Sequence, residues 1–155
     1  MVKFWDASAL ASLLVREAMT GILNEVAAAD PAIAIWWGTP VECRSVLARR
    51  EREGSLLTGN AVAAHRAFEA LFSQAQEIPP SVIVRDRAIR LVDVHDLRAA
   101  DALQLAAALV WTRERPAGSG FVCLDRRLRA AAGREGFDVL PALLSENAPC
   151  PLDAT

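Results

Sequence analysis

Short apolar runs alternate with amphipathic stretches along most of the chain, a pattern that predicts strands separated by helices. Val2 to Trp5 is an apolar and aromatic run that stops at Asp6, as a buried strand does. Ser8 then precedes the helical spacing Leu10, Leu13, Leu14. A second helix is predicted from about Gly21 to Ala29, and Ala32 to Trp37, bounded by Pro31 and Gly38, reads as the second strand. Thr39-Pro40-Val41-Glu42 opens a helix that runs toward Gly54, with Thr39 as N-cap, Pro40 at the first helical position and Glu42 at the third.

Apolar positions at Val62, Ala63, Phe68, Leu71 and Phe72 predict a helix from Asn60 to about Gln76, closed by Pro79-Pro80. Ser81 to about Leu91 reads as one more. The most apolar helix runs from Leu97 or Arg98 to about Arg113 and ends at Pro116 and Gly118-Ser119-Gly120. Phe121 to Leu124 is a third strand ending at Asp125, followed by a helix to about Glu135, Gly136 as its C-terminal cap, and a short strand Asp138 to Leu140. Strands joined through helices call for right-handed crossovers. The predicted fold is therefore α/β, a three-layer α/β/α sandwich on a mostly parallel central sheet of about four or five strands. One domain is expected over 1–144, with 145–155 a loosely ordered C-terminal tail.

Composition narrows the function classes. A 155-residue chain that is 53% hydrophobic has material for one core. Its most apolar stretch, Leu105 to Trp111, is followed at once by Arg113, Glu114 and Arg115 and falls far short of the roughly 20 residues a membrane span needs. The expectation is a buried helix and no membrane partner. Asp6 interrupts the N-terminal run where a secretory signal would stay apolar, so the expected location is the cytoplasm. Cys43, Cys123 and Cys150 are widely spaced and odd in number, which fits neither a disulfide framework nor a zinc-ligand pattern, and they read as reduced thiols. A formal net charge of −2 gives no global basic field, so a nucleic-acid partner has to be argued from a local site.

In open parallel sheets the ligand site lies beyond the carboxyl ends of the strands, and Asp6 and Asp125 stand there. Glu42 sits in the first helical turn after the second strand, which brings it to the same edge. Each has a plain structural role open to it: Asp6 and Asp125 as helix caps, Glu42 as partner of Thr39 in a capping box. Asp101 is harder to explain that way, because Leu97, Leu105 and Ala108 around it are apolar and Arg98 is the only basic residue within a turn. An unpaired carboxylate there costs several kcal/mol and calls for a cation, a metal or a pocket open to water. Four converging acids repel one another, and a hard divalent ion such as Mg²⁺ or Mn²⁺ removes that penalty; no His-rich or Cys-rich cluster speaks for zinc. His65 and His95 are isolated, and surface or core roles are expected for both.

These segments together resemble PIN-domain ribonucleases, especially VapC-type toxins of toxin–antitoxin systems. The resembling pieces are Phe4-Trp5-Asp6-Ala7-Ser8-Ala9-Leu10, Thr39-Pro40-Val41-Glu42, Leu97 to Ala106 around Asp101, and Phe121-Val122-Cys123-Leu124-Asp125 followed by Leu128, Ala131, Ala132 and Gly136. The resemblance implies a metal-dependent endoribonuclease whose Asp6, Glu42, Asp101 and Asp125 hold one or two Mg²⁺ or Mn²⁺ ions. It also implies Ser8 and Thr39 as hydrogen-bond partners behind the acids, an RNA substrate, a VapB-like protein antitoxin and a homodimer. Members often carry Ser or Thr two residues before the fourth acid, where this chain has Cys123. Arg126, Arg127 and Arg129, with Arg44, Arg49 and Arg50, are candidates for RNA phosphates, against the plainer reading of solvated helix faces. Trp36, Trp37 and Trp111 are expected in the core. Two other readings stay open: an RNA-processing nuclease of the same fold without a toxin role, and a non-catalytic Mg²⁺-binding signalling module. The latter lacks its expected pocket lysine, since Lys3 is the sole lysine.

Overall fold

Helices and short strands alternate along residues 1–142, the part of the chain that the computed structural model describes. Both the expected tail, 145–155, and Cys150 lie outside those residues. The elements are β1 (Lys3–Trp5), α1 (Ala7–Val15), α2 (Thr20–Ala29), β2 (Ile33–Trp36), α3 (Thr39–Arg52), α4 (Thr58–Phe72), β3 (Gln76–Ile78), α5 (Val82–Val94), α6 (Ala99–Trp111), β4 (Gly120–Val122), α7 (Arg126–Arg134) and β5 (Asp138–Leu140). The five strands pair in parallel in the order β3-β2-β1-β4-β5. From β1 the chain winds outward to β3, returns through α5 and α6 to place β4 on the other side of β1, and ends at β5. The winding reverses between β1 and β4, and a crevice opens beyond the carboxyl ends of strands at such a reversal.

Period-two alternation distributes the core over both faces of the sheet. Phe4, Ala34, Trp36, Phe121 and Cys123 face α5, α6 and α7, where they meet Leu91, Leu105, Ala106 and Leu128. Trp5, Ile35, Val122 and Leu124 face the other way, onto Leu10, Leu23, Leu47 and Ala64 of α1 to α4. Alanines 102, 106, 107 and 108 of α6 are fully buried, and their small side chains let this helix lie close to the sheet. Phe4 stacks on Phe121 with centroids 5.5 Å apart, tying β1 to β4 at the reversal point.

Three expectations are corrected. The helix predicted to reach Gln76 stops at Phe72, and Gln76–Ile78 forms an edge strand on β2. Only Ile78 of the three is buried, so no apolar run announces this strand. Trp37 is 54% exposed and lies outside the core, whereas Trp36 is buried and Trp111 packs against the core. Gly38, with no side chain to cap it, precedes α3, so Thr39 is a helical residue whose hydroxyl is free for another partner. Gly136 follows α7 with φ +102, the conformation that suits a glycine after a helix end.

Candidate active site

Asp6 leaves β1 as the N-cap of α1, and its carboxylate accepts a hydrogen bond from the Ser8 backbone N–H at 3.0 Å and another from the Ser8 hydroxyl. Ser8 Oγ in turn accepts the Leu124 N–H at 3.0 Å, so one hydroxyl pins the start of α1 to the end of β4. Cys123 fills the place where a hydroxyl residue was expected, and its thiol lies 3.5 Å from Asp6 Oδ2, within reach for a weak S–H donor. Asp125 caps α7, accepting the Leu128 N–H at 2.8 Å. Capping and site-building are compatible for both aspartates, because each carboxylate has further lone pairs beyond those the cap uses.

Glu42 projects from the first turn of α3 and Asp101 from the first turn of α6, helices on opposite faces of the sheet. No salt bridge among the described residues reaches any of the four acids. Their charges nonetheless reach one another. Burial pushes the Glu42 carboxyl up to about 7, helped by the charges of Asp6 and Asp101. Burial also lifts Asp101 to about 6, with Asp125 and Asp6 adding to the rise and Arg98 opposing it. Asp6 is raised as well, by burial first, against the pull of its Ser8 hydrogen bonds. All four predicted acids therefore share one electrostatic neighbourhood. They are not drawn into a closed chelate: among the described residues no three His, Cys, Asp or Glu side chains form a ready metal-binding group. Every donor they offer is a hard carboxylate oxygen.

Gln104 was not singled out from the sequence. It is fully buried on α6, one turn beyond Asp101, and its amide donates to Glu42 Oε1 at 2.9 Å. The Thr39 hydroxyl donates to the other end of that amide at 3.1 Å. A glutamine amid the alanines and leucines of a helix whose one other polar residue is Asp101 was the available signal.

The arginines divide by what they already bind. Arg129 is withdrawn from the RNA candidates, since its guanidinium donates to the carbonyls of Cys123, Leu140 and Pro141 at 2.7 to 3.0 Å and ties the ends of β4 and β5 to α7. Arg50 pairs with Glu17, Arg44 contacts His65 and lies over the Phe68 ring, and Arg127 stands 3.7 Å from Asp96. Arg49 and Arg126 are exposed. His65 bonds Glu51 at the surface and His95 is buried against Glu135, away from the acids.

A five-stranded parallel sheet with acids gathered at its winding reversal defines a PIN-like α/β domain. Comparisons agree with that assignment. No family model matches the chain. Ribonuclease VapC45 of Mycobacterium tuberculosis (strain CDC 1551 / Oshkosh) is 30% identical over 142 residues, 91% of this chain and 96% of the relative, and ribonuclease VapC49 of strain H37Rv matches to the same extent. The chain belongs to the VapC ribonuclease family. Similar folds occur in PAE2754 from Pyrobaculum aerophilum (TM-score 0.60, 21% identity, 88% of this chain and 83% of that one) and in VapBC2 from Rickettsia felis bound to a promoter DNA fragment (0.61, 11%, 90% and 97%). A toxin–antitoxin complex from Klebsiella pneumoniae is a further structural neighbour (0.55, 18%, 83% and 90%).

Proposed function

We propose that this chain is an endoribonuclease that hydrolyses RNA phosphodiester bonds with Mg²⁺ or Mn²⁺ held by Asp6, Glu42, Asp101 and Asp125, and that it is the toxin of a toxin–antitoxin pair. The observation that carries the reading is a quartet of mutually repelling, partly buried carboxylates with no salt-bridge partner among the described residues. Hard oxygen donors in excess of positive charge suit a divalent cation. A cation held by these four carboxylates would supply Lewis acidity toward water and the scissile phosphate. The chain's own residues prepare the place. Ser8 fixes the Asp6 carboxylate, the caps of α1 and α7 fix the backbone carrying Asp6 and Asp125, and Arg49 and Arg126 offer positive charge for phosphates.

Names of the relatives and titles of the structural neighbours support the ribonuclease and the antitoxin partner. A VapB-like antitoxin, a homodimer and a cytoplasmic location complete the proposal. The described residues hold no helix long and apolar enough to cross a membrane. Purified protein incubated with RNA and Mn²⁺ should cleave internally, and Asp101→Asn and Asp6→Asn should not. Cleavage that persists with a chelator, or equally in both variants, overturns the proposal. Induced expression should arrest growth, and co-expression of the partner encoded beside it should relieve the arrest.

A further inference from the structure

We infer that Gln104 is a positioning residue for Glu42 and that Thr39 braces the Gln104 amide in that role. This inference rests on the nuclease reading for its consequence but not for its geometry. A glutamine amide has one accepting and one donating end, and a buried amide can present either to a neighbour. The Thr39 hydroxyl, fully buried and not used as a helix cap, donates to Gln104 Oε1. That leaves Nε2 to donate to Glu42 Oε1 at 2.9 Å. The order of donors runs one way, from threonine through glutamine to glutamate, and it joins α3 to α6 across the edge of the sheet.

Glu42 has one oxygen held by this relay, which fixes the carboxylate plane and leaves the other oxygen for the site. Asp6 and Asp125 are held by the backbone N–H groups they cap just past their strands, and Asp101 by the Arg98 backbone. Glu42 has no such anchor, since α3 begins at a glycine without a side-chain cap, and the relay takes its place. Without the Thr39 hydroxyl, Gln104 Oε1 loses its donor in a buried setting, and the amide loses the contact that holds its N–H against Glu42.

The test uses the isosteric variant Thr39→Val, which keeps volume and removes the hydroxyl, beside Gln104→Leu, Thr39→Ser and the double variant. In the metal-free protein, the Gln104 side-chain amide should exchange slowly with solvent by NMR, and that protection should be lost in Thr39→Val and kept in Thr39→Ser. In Mn²⁺ titrations by calorimetry, Thr39→Val and Gln104→Leu should each bind about tenfold more weakly, the scale at which residues behind metal ligands act. The double variant should bind no more weakly than Gln104→Leu, because the two residues act in series. RNA turnover should fall in kcat with KM unchanged. Additive losses, or wild-type Mn²⁺ binding in a Thr39→Val protein that melts normally, overturn the relay. Wild-type protein that takes up no Mn²⁺ sinks the cofactor reading instead, and the amide-exchange arm then decides the relay alone: protection lost in Thr39→Val upholds it, protection kept overturns it.

Discussion

Asp101 sits in the first turn of α6, partly buried, with its carboxyl lifted to about 6 by burial and by the charges of Asp125 and Asp6. Such a group harms the empty protein whenever it is ionised. Asp101→Asn should therefore do two opposite things: abolish RNA cleavage, on the order of a hundredfold or more, and raise the melting temperature of the metal-free protein at neutral pH. Measuring both separates a site residue from a structural one, since a structural carboxylate would lose stability when neutralised. Ser8 should show the contrary pattern. Its hydroxyl serves Asp6 and the Leu124 N–H together, and Ser8→Ala should cost about 1 to 2 kcal/mol in urea unfolding.

Elements carry the next set of consequences, and they explain which features could be read from the sequence. Asp6 and Asp125 were legible because an apolar run that stops at an acid marks both a strand end and a helix cap. Asp101 was legible because the rest of its helix is apolar save for Gln104. Strand β3 was not, because two of its three residues face solvent and its single neighbour β2 supplies the pairing that local pattern cannot show. Gln104 was missed because its partner Glu42 lies far away in the chain, and Arg129 was misassigned to RNA because local spacing does not show that the carbonyls ending β4 and β5 turn toward it. Arg129 bridges carbonyls from the end of β4 to just past β5. Arg129→Met should lower stability by about 2 to 4 kcal/mol in denaturant titration, by taking the guanidinium donor from the Cys123 and Pro141 carbonyls, while Leu140 O keeps the Cys123 N–H. RNA affinity should fall no further than unfolding explains.

At the scale of the whole molecule, pH and divalent ions should compete for the same pocket. Glu42 is raised from its ordinary 4.5 to about 7, and Asp101 from 3.8 to about 6. A carboxyl raised in the folded state holds its proton better there than in the unfolded chain, so its contribution to stability is full below the ordinary value and drains away as pH climbs through 6 and 7. Without metal, stability should decline across that window. Added Mn²⁺ should restore it at about pH 7.5, by on the order of 5 °C at saturating concentration, and do little at about pH 5 where protons already neutralise Glu42 and Asp101. Thermal melts at both pH values check this, and an equal shift at both would show that the ion binds elsewhere.

The winding reversal between β1 and β4 also sets a timetable for synthesis. Asp6 is made before α1 and Asp125 only after α6 and β4, and β4 must slot in beside β1 before the two can meet. A ribosome that has delivered only β1 to β3 has delivered two of the four acids and no neighbour for the open side of β1. A pocket holding all four acids cannot form on the nascent polypeptide before β4 and Asp125 have emerged, so the cell has until then to supply whatever holds this protein in check.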